Sequence, residues 1–273
     1  DTTESRGLGD VYKRQVMGLL ILLCLFQPDF GTCIILSLLL FSMLFVAGTR
    51  TAYIVLFFLA GVLLVYQGIE GNDMRYGRVM AFIDPWAHRV DRGYQMVNSL
   101  IAYGSGGLTG QSLGFGGQTI TGFLPEGHTD FILAVLGEQL GFLGVASVVT
   151  LFLVILIRGL KIASEAREDF GRYLAFGITL LICMQAAINM LVSVALIPTK
   201  GLTLPFVSYG GSSLLTCCIS VGILLNISRD IALSRAAPFV PTPPTTDSPA
   251  KPKRKRRRRK VSTKQLPLEE VIG

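Results

Sequence analysis

Polarity along this chain alternates in long blocks. Apolar runs cover residues 16–27, 32–48, 52–67, 131–157, 173–196 and 214–228, each bounded by polar, glycine-rich or proline-bearing stretches. A helix needs about 20 predominantly apolar residues to cross the hydrocarbon core of a bilayer, so the block lengths predict an all-α, polytopic membrane helix bundle. The run at 16–27 is short for a crossing and reads as the remnant of a span. "QPDFG" at 27–31 sets a proline and a glycine, both helix stoppers, before the next run. "AGTRT" forms a tight turn carrying Arg50. The run at 214–228 is marginal unless its helix begins inside the preceding "SYGGSS".

Between the runs lie two long polar segments and one charged connector. The first polar segment, 68–130, contains "GYQMVNSLIAYGSGG", which reads as a short amphipathic or interfacial helix. The second is "IPTKGLTLPFVSYGGSS" at 197–213, and the connector is "RGLKIASEAREDFGR" at 158–172. Lys and Arg in short loops set orientation. Alternation puts Arg50, the connector and the C-terminal tail on the cytoplasmic side, and both polar segments together on the outer side. The basic residues of the outer segment (Arg75, Arg78, Arg89, Arg92) weigh less, because long loops translocate largely regardless of charge.

Composition agrees with the blocks. Hydrophobic residues make up 51% of the 273, charged residues only 16%, and the mean hydropathy is +0.55; a soluble domain carries about 25% charged residues. The net charge of +7 is a property of one tail, since "KPKRKRRRRK" at 251–260 alone holds nine basic residues. The region 229–273 is proline-rich and ends in a like-charged block, a composition that cannot bury a core. Contact with anionic lipid is its simplest role, and without a folded reading domain it does not indicate nucleic-acid binding. Cys24, Cys33, Cys183, Cys217 and Cys218 all lie in apolar runs with no metal-ligand spacing, and read as small core residues. Residues 1–15, "DTTESRGLGDVYKRQ", meet the first run without a cap or turn and lack the apolar stretch of a signal peptide. They read as foreign to the domain at 16–228, whose true N-terminal part is then missing.

Chemistry concentrates in the two outer segments. "LPEGHTDF" places Glu126, His128 and Asp130 at the mouth of the run that begins at Phe131. Thr129 or Asp130 is a candidate N-cap, and the three titratable groups are equally candidates for acid–base work where desolvation shifts pKa values. Glu138 sits inside the run and is costly there without a partner; an interhelical hydrogen bond and a functional role both remain open for it. Gln185 and Asn189, four residues apart on one face, are candidates for hydrogen bonds between spans. "SGGLTGQSLGFGG" offers many backbone amides, which reads either as a flexible loop or as an anion nest. Lys200 is a compact cation for a phosphate, Ser208, Tyr209, Ser212 and Ser213 offer hydroxyls, and Gly210 and Gly211 permit close backbone approach. An acid, cations and amides above an apolar wall suit an amphiphilic, phosphate-bearing substrate.

The stretches "QPDFGT", "FIDPW", "GYQMVNSLIAYGSGG", "LPEGHTDFILAVLGEQLG" and "PTKGLTLPFVSYGGSSLL" occur in this order over residues 27–215. In them the chain resembles the FtsW/RodA (SEDS) family, which polymerises lipid II into peptidoglycan glycan strands; "PTKGL" is closer to the division branch than to the elongation branch. The resemblance implies ten membrane helices with cytoplasmic termini, of which this chain holds about the last six. It implies that Asp130, in "HTDF", is the catalytic residue, and that the reaction releases undecaprenyl diphosphate from lipid II. It also implies a class B penicillin-binding protein and other division proteins as partners in the bacterial inner membrane. Lys200, Arg75 or Arg78 would meet the diphosphate, with a divalent cation (Mg or Mn) as the one cofactor to consider. "PEGH" stands where the family commonly has "PEAH", and "GEQLG" where it has "GEELG", so Gln139 replaces an acid. A lipid II flippase or a non-catalytic scaffold is the alternative, with Glu138, Gln185 and Asn189 along a translocation path.

Overall fold

A computed structural model describes residues 30–52, scattered positions between 55 and 61, 73–111 and 127–236. Residues 1–15, the run at 16–27, most of 52–67, Glu126 and the tail beyond 236 lie outside the described residues, as does the Arg75 side chain. Among the described residues, six helices have defined bounds, in order: α1 Phe30–Val46, α2 Asp73–Ile83, α3 Tyr94–Gly106, α4 Ile132–Glu165, α5 Asp169–Ser193 and α6 Gly211–Ala236. Among the described residues there is no strand. Helices α4, α5 and α6 are long and apolar enough to cross a membrane, and α1 is a shorter apolar helix.

Helix boundaries move outward from the apolar runs because polar residues continue the helices. α4 runs on through "RGLKIASE", so the charged connector shrinks to the few residues between Glu165 and Asp169. Arg235 pairs with Glu165 at 3.0 Å and Arg167 donates to the Ser234 carbonyl, tying that turn to the end of α6. α6 starts at Gly211, inside the glycine–serine motif, which gives it the length that its apolar run lacked. α1 closes as "AGT" predicts: Gly48 takes φ +80°, its N–H bonds Phe45 O, and Thr49 N–H bonds Leu44 O. Those two bonds satisfy carbonyls that a helix C-terminus otherwise leaves open.

Two readings change. The segment at 94–106 is the short helix expected, but its apolar face is covered by protein: Met96, Val97, Asn98, Ser99, Ala102 and Gly106 are buried, and α3 packs against α4 and α5. Its amphipathic pattern faces protein. Ser99 Oγ donates to Ser193 O, and Tyr103 OH meets Ser193 Oγ at 2.9 Å, which fixes α3 to the end of α5. A further helix, α2, occupies a region read only as polar and glycine-rich.

The long run at 131–157 is also not one continuous helix. Gly141 has φ +66° and ψ −163°, a conformation open only to glycine, and α4 breaks there. A break inside an apolar helix frees backbone groups that must find partners. The glycine-rich segment supplies them. Gly107 O and Leu108 O accept from Phe142 N and Leu143 N, and Gln111 N donates to Glu138 O. "YGSGGLTG" is thus used as a brace for the break, not as an anion nest, over the part described.

This close backbone contact requires glycines. A Cβ on Gly106 would lie 1.9 Å from the Gly137 carbonyl oxygen, whereas one on Gly104 would meet nothing within 4 Å. Overpacking of this kind costs about 1–3 kcal/mol. Gly106→Ala is therefore expected to lower the melting temperature of the detergent-solubilised protein by several degrees, with Gly104→Ala at or above the parent value. Equal melting temperatures for the two would contradict the close α3–α4 crossing.

The core divides into small clusters along α4 and α5. Leu133, Phe152, Ile182, Ala186 and Leu204 form one; Ala102, Phe131, Ala134 and Val192 form another. Leu204 comes from the 197–210 loop, so that loop is anchored in the helical core. Many large apolar side chains on the outer faces of α4 and α6 stay exposed, including Leu151, Ile157, Leu215 and Leu225, as expected of helices whose solvent is lipid.

Candidate functional site

The turn at 127–131 enters α4 with Phe131 at the N-cap position and no side-chain cap. The capping role read for Thr129 or Asp130 is not what holds this helix start. What holds it is the second loop. Tyr209 N–H donates to His128 O at 3.0 Å, Ser208 Oγ to Thr129 O at 2.5 Å, and Asn189 Nδ2 to Asp130 O at 2.8 Å. Three consecutive carbonyls are thereby bonded from outside the turn. Ser208 Oγ also accepts from Leu204 N–H, Gln185 Nε2 donates to Thr203 O, and Thr203 Oγ1 meets Ser213 Oγ. The two polar segments that alternation placed on one side are joined into one structure.

Beside this junction is a cleft of about 510 Å³ lined by Arg78, Asp91, Arg92, Tyr94, Gln95, Asp130, Phe131, Thr199, Lys200 and Gly201. It brings together Asp130, Arg78 and Lys200 from three parts of the sequence. Asp130 is half-buried, and a Cβ on Gly201 would lie 3.0 Å from its Oδ2, so the carboxylate rests over a residue without a side chain. Arg78 is exposed at the cleft wall. The Lys200 amine is buried: a Cβ on Gly31 would overlap its Nζ, which places the ammonium against the first turn of α1. Lys200 therefore lines the cleft with its ammonium buried, and joins "PTKGL" to the "DFGT" stretch.

The other sequence candidates fall elsewhere. His128 is exposed and does not line the cleft. Ser208 and Ser213 bond inward to hold the loop, Tyr209 is 86% exposed outside the cleft, and Ser212 gives its carbonyl to Thr216. Glu138 is fully buried three residues before the break, with its carbonyl on Gln111. Arg92, Asp91, Tyr94, Gln95, Thr199 and Gly201 were missed. Arg92 counted only as loop charge; its guanidinium lies across α2, where a Cβ on Gly77 would fall 1.3 Å from Nη1. The signal available was the pair of glycines, Gly77 and Gly201, at places where a charged side chain needs room.

The fold and site define a class first: a helical membrane protein with a mixed-charge cleft where two polar loops meet above apolar helices. The chain belongs to the FtsW/RodA/SpoVE family of cell cycle proteins, whose model matches residues 4–232. It is 45% identical over 213 residues to a protein of Geobacter sulfurreducens named "Probable peptidoglycan glycosyltransferase FtsW", covering 78% of this chain and 57% of that protein. A protein of the same name from Legionella pneumophila is 40% identical over 225 residues, covering 81% of this chain and 57% of its own length. The chain thus spans a little over half the length of these relatives. A solved chain from a peptidoglycan synthase complex that coordinates polymerization and crosslinking superposes with TM-score 0.63 at 26% identity, covering 81% of this chain and 63% of that one.

Proposed function

We propose that the protein is a peptidoglycan glycosyltransferase of cell division, polymerising lipid II into β-1,4 glycan strands with release of undecaprenyl diphosphate. The observation that carries this reading is one cleft lined by Asp130 together with Arg78, Arg92 and Lys200. The reacting carbon is α-linked to diphosphate and ends β-linked, so the acceptor hydroxyl attacks in line and inverts it. The acceptor oxygen–carbon bond forms, the carbon–diphosphate bond breaks, and the hydroxyl proton goes to Asp130 as general base. The departing diphosphate gains charge, which fixed cations stabilise. Arg78 and Arg92 offer forked donors for it, and the buried Lys200 ammonium adds positive potential.

Among the described residues no three His, Cys, Asp or Glu side chains gather as a metal site. Mg²⁺ and similar ions are held by one or two carboxylates together with substrate phosphates. Asp91, the other carboxylate lining the cleft, is the residue that would share a Mg or Mn ion with the diphosphate, where it would neutralise charge. A class B penicillin-binding protein is the partner that would crosslink the product. The Lys and Arg distribution supports an inner-membrane protein with a cytoplasmic C-terminus, where each basic residue of 251–260 would add about 1 kcal/mol of attraction to anionic lipid.

The translocation alternative needs polar side chains along a path through the bundle. Gln185 and Asn189 instead bond the backbone of the 197–210 loop at Thr203 and Leu202, and Glu138 is buried beside the α4 break. The test compares lipid II polymerisation in detergent with lipid II movement across sealed vesicles, using the full-length protein with its partner. Glycan strands in detergent are the expected result; translocation without strands would overturn the proposal.

A further inference from the structure

We infer that Asn189 is a positioning residue for Asp130, fixing the acid relative to the loop that carries Lys200 and Gly201. The inference rests on the reading of Asp130 as the general base. Asn189 lies one turn before the end of α5 and is 1% exposed. Its Nδ2 donates one hydrogen to Asp130 O and the other to Leu202 O, using both. Its Oδ1 is buried and has no hydrogen-bond partner among the described residues. Buried polar atoms without partners are rare, and turning the amide over would set Oδ1 against two carbonyl oxygens. The side chain is therefore held in this orientation by the two donations alone.

The two carbonyls belong to different segments that meet at the cleft. Asp130 O is on the turn entering α4; Leu202 O follows Gly201, whose bare Cα faces the Asp130 carboxylate. One amide thus sets the spacing between the acid and the "TKG" segment. The neighbouring bonds from Ser208 and Tyr209 reach Thr129 and His128, not Asp130. Removing Asn189 leaves these loop contacts in place and takes away the donation to Asp130 O. A misplacement of about 1 Å can cost about 10²-fold in rate.

Gln185 separates positioning from simple support. It lies one turn earlier on the same helix face and bonds the same loop at Thr203, without touching Asp130. In full-length protein with its partner, Asn189→Leu is expected to lower kcat for lipid II polymerisation at least about tenfold, with KM within about threefold. Gln185→Leu is expected to lower kcat by no more than about threefold, both variants remaining monodisperse in detergent. The inference is overturned if Asn189→Leu keeps kcat within twofold, if KM alone changes, or if Gln185→Leu loses as much. Should the leucine variant aggregate, Asn189→Ser, which removes both long-reach donors, is judged by the same split. Polymerisation surviving in Asp130→Asn would instead overturn the reading of Asp130 itself, a result separable from an active Asn189→Leu beside an inactive Asp130→Asn.

Discussion

Asp130→Asn is expected to lower the rate of glycan polymerisation by about 10²–10⁴, the range that a positioned general base contributes. The substitution preserves shape and leaves the main chain untouched. The Asn189 donation to Asp130 O and the loop bonds to Thr129 and His128 do not involve the carboxylate, so the junction stays assembled. What is lost is an acceptor for the proton of the attacking hydroxyl. Since the helix start carries no side-chain cap, the loss cannot be attributed to an unwound α4. A polymerisation rate within a few-fold of the parent, measured on purified protein with its partner, would remove Asp130 from the chemistry.

Arg78→Met is expected to act on binding. Arg78 reaches the cleft from α2 with an exposed side chain, available to a diphosphate without first breaking a buried contact. A hydrogen bond to a charged group contributes about 1.5–3 kcal/mol, which corresponds to roughly 10- to 100-fold in KM at about 1.4 kcal/mol per tenfold. Methionine keeps most of the aliphatic stem, so the change removes charge and donors more than packing. Steady-state kinetics over a range of lipid II concentrations checks this, and an unchanged KM would count against Arg78 as a diphosphate contact. Lys200 is the less simple target, because its ammonium also fills space over Gly31.

Long-range features of the site were legible where the sequence carried them as blocks. Apolar run lengths predict spans, and their alternation puts the two polar segments at one end, where Tyr209, Ser208 and Asn189 join them to the "HTD" turn. Resemblance singled out Asp130 from Glu126 and His128, which spacing alone could not do. Roles that depend on a remote backbone were not legible. Periodicity sees 131–157 as one helix, because a single glycine at 141 does not interrupt an apolar pattern; the break exists through partners at 107–111. For the same reason "SGGLTG" looked like a free run of amides. The burial of Lys200 depends on Gly31, more than a hundred residues away in sequence, and the room for Asp130 on Gly201 in the other loop. The α3 pattern was read as facing a membrane surface because hydropathy does not distinguish lipid from protein as the apolar neighbour.

The central claim is a division of labour within one cleft: the acid serves the acceptor, and the arginines serve the diphosphate. Equilibrium binding of lipid II to Asp130→Asn and Arg78→Met, measured beside the parent protein, tests it most directly. Asp130→Asn is expected to bind within about threefold of the parent while Arg78→Met weakens by at least about tenfold. Loss of binding in Asp130→Asn with full binding in Arg78→Met would contradict it.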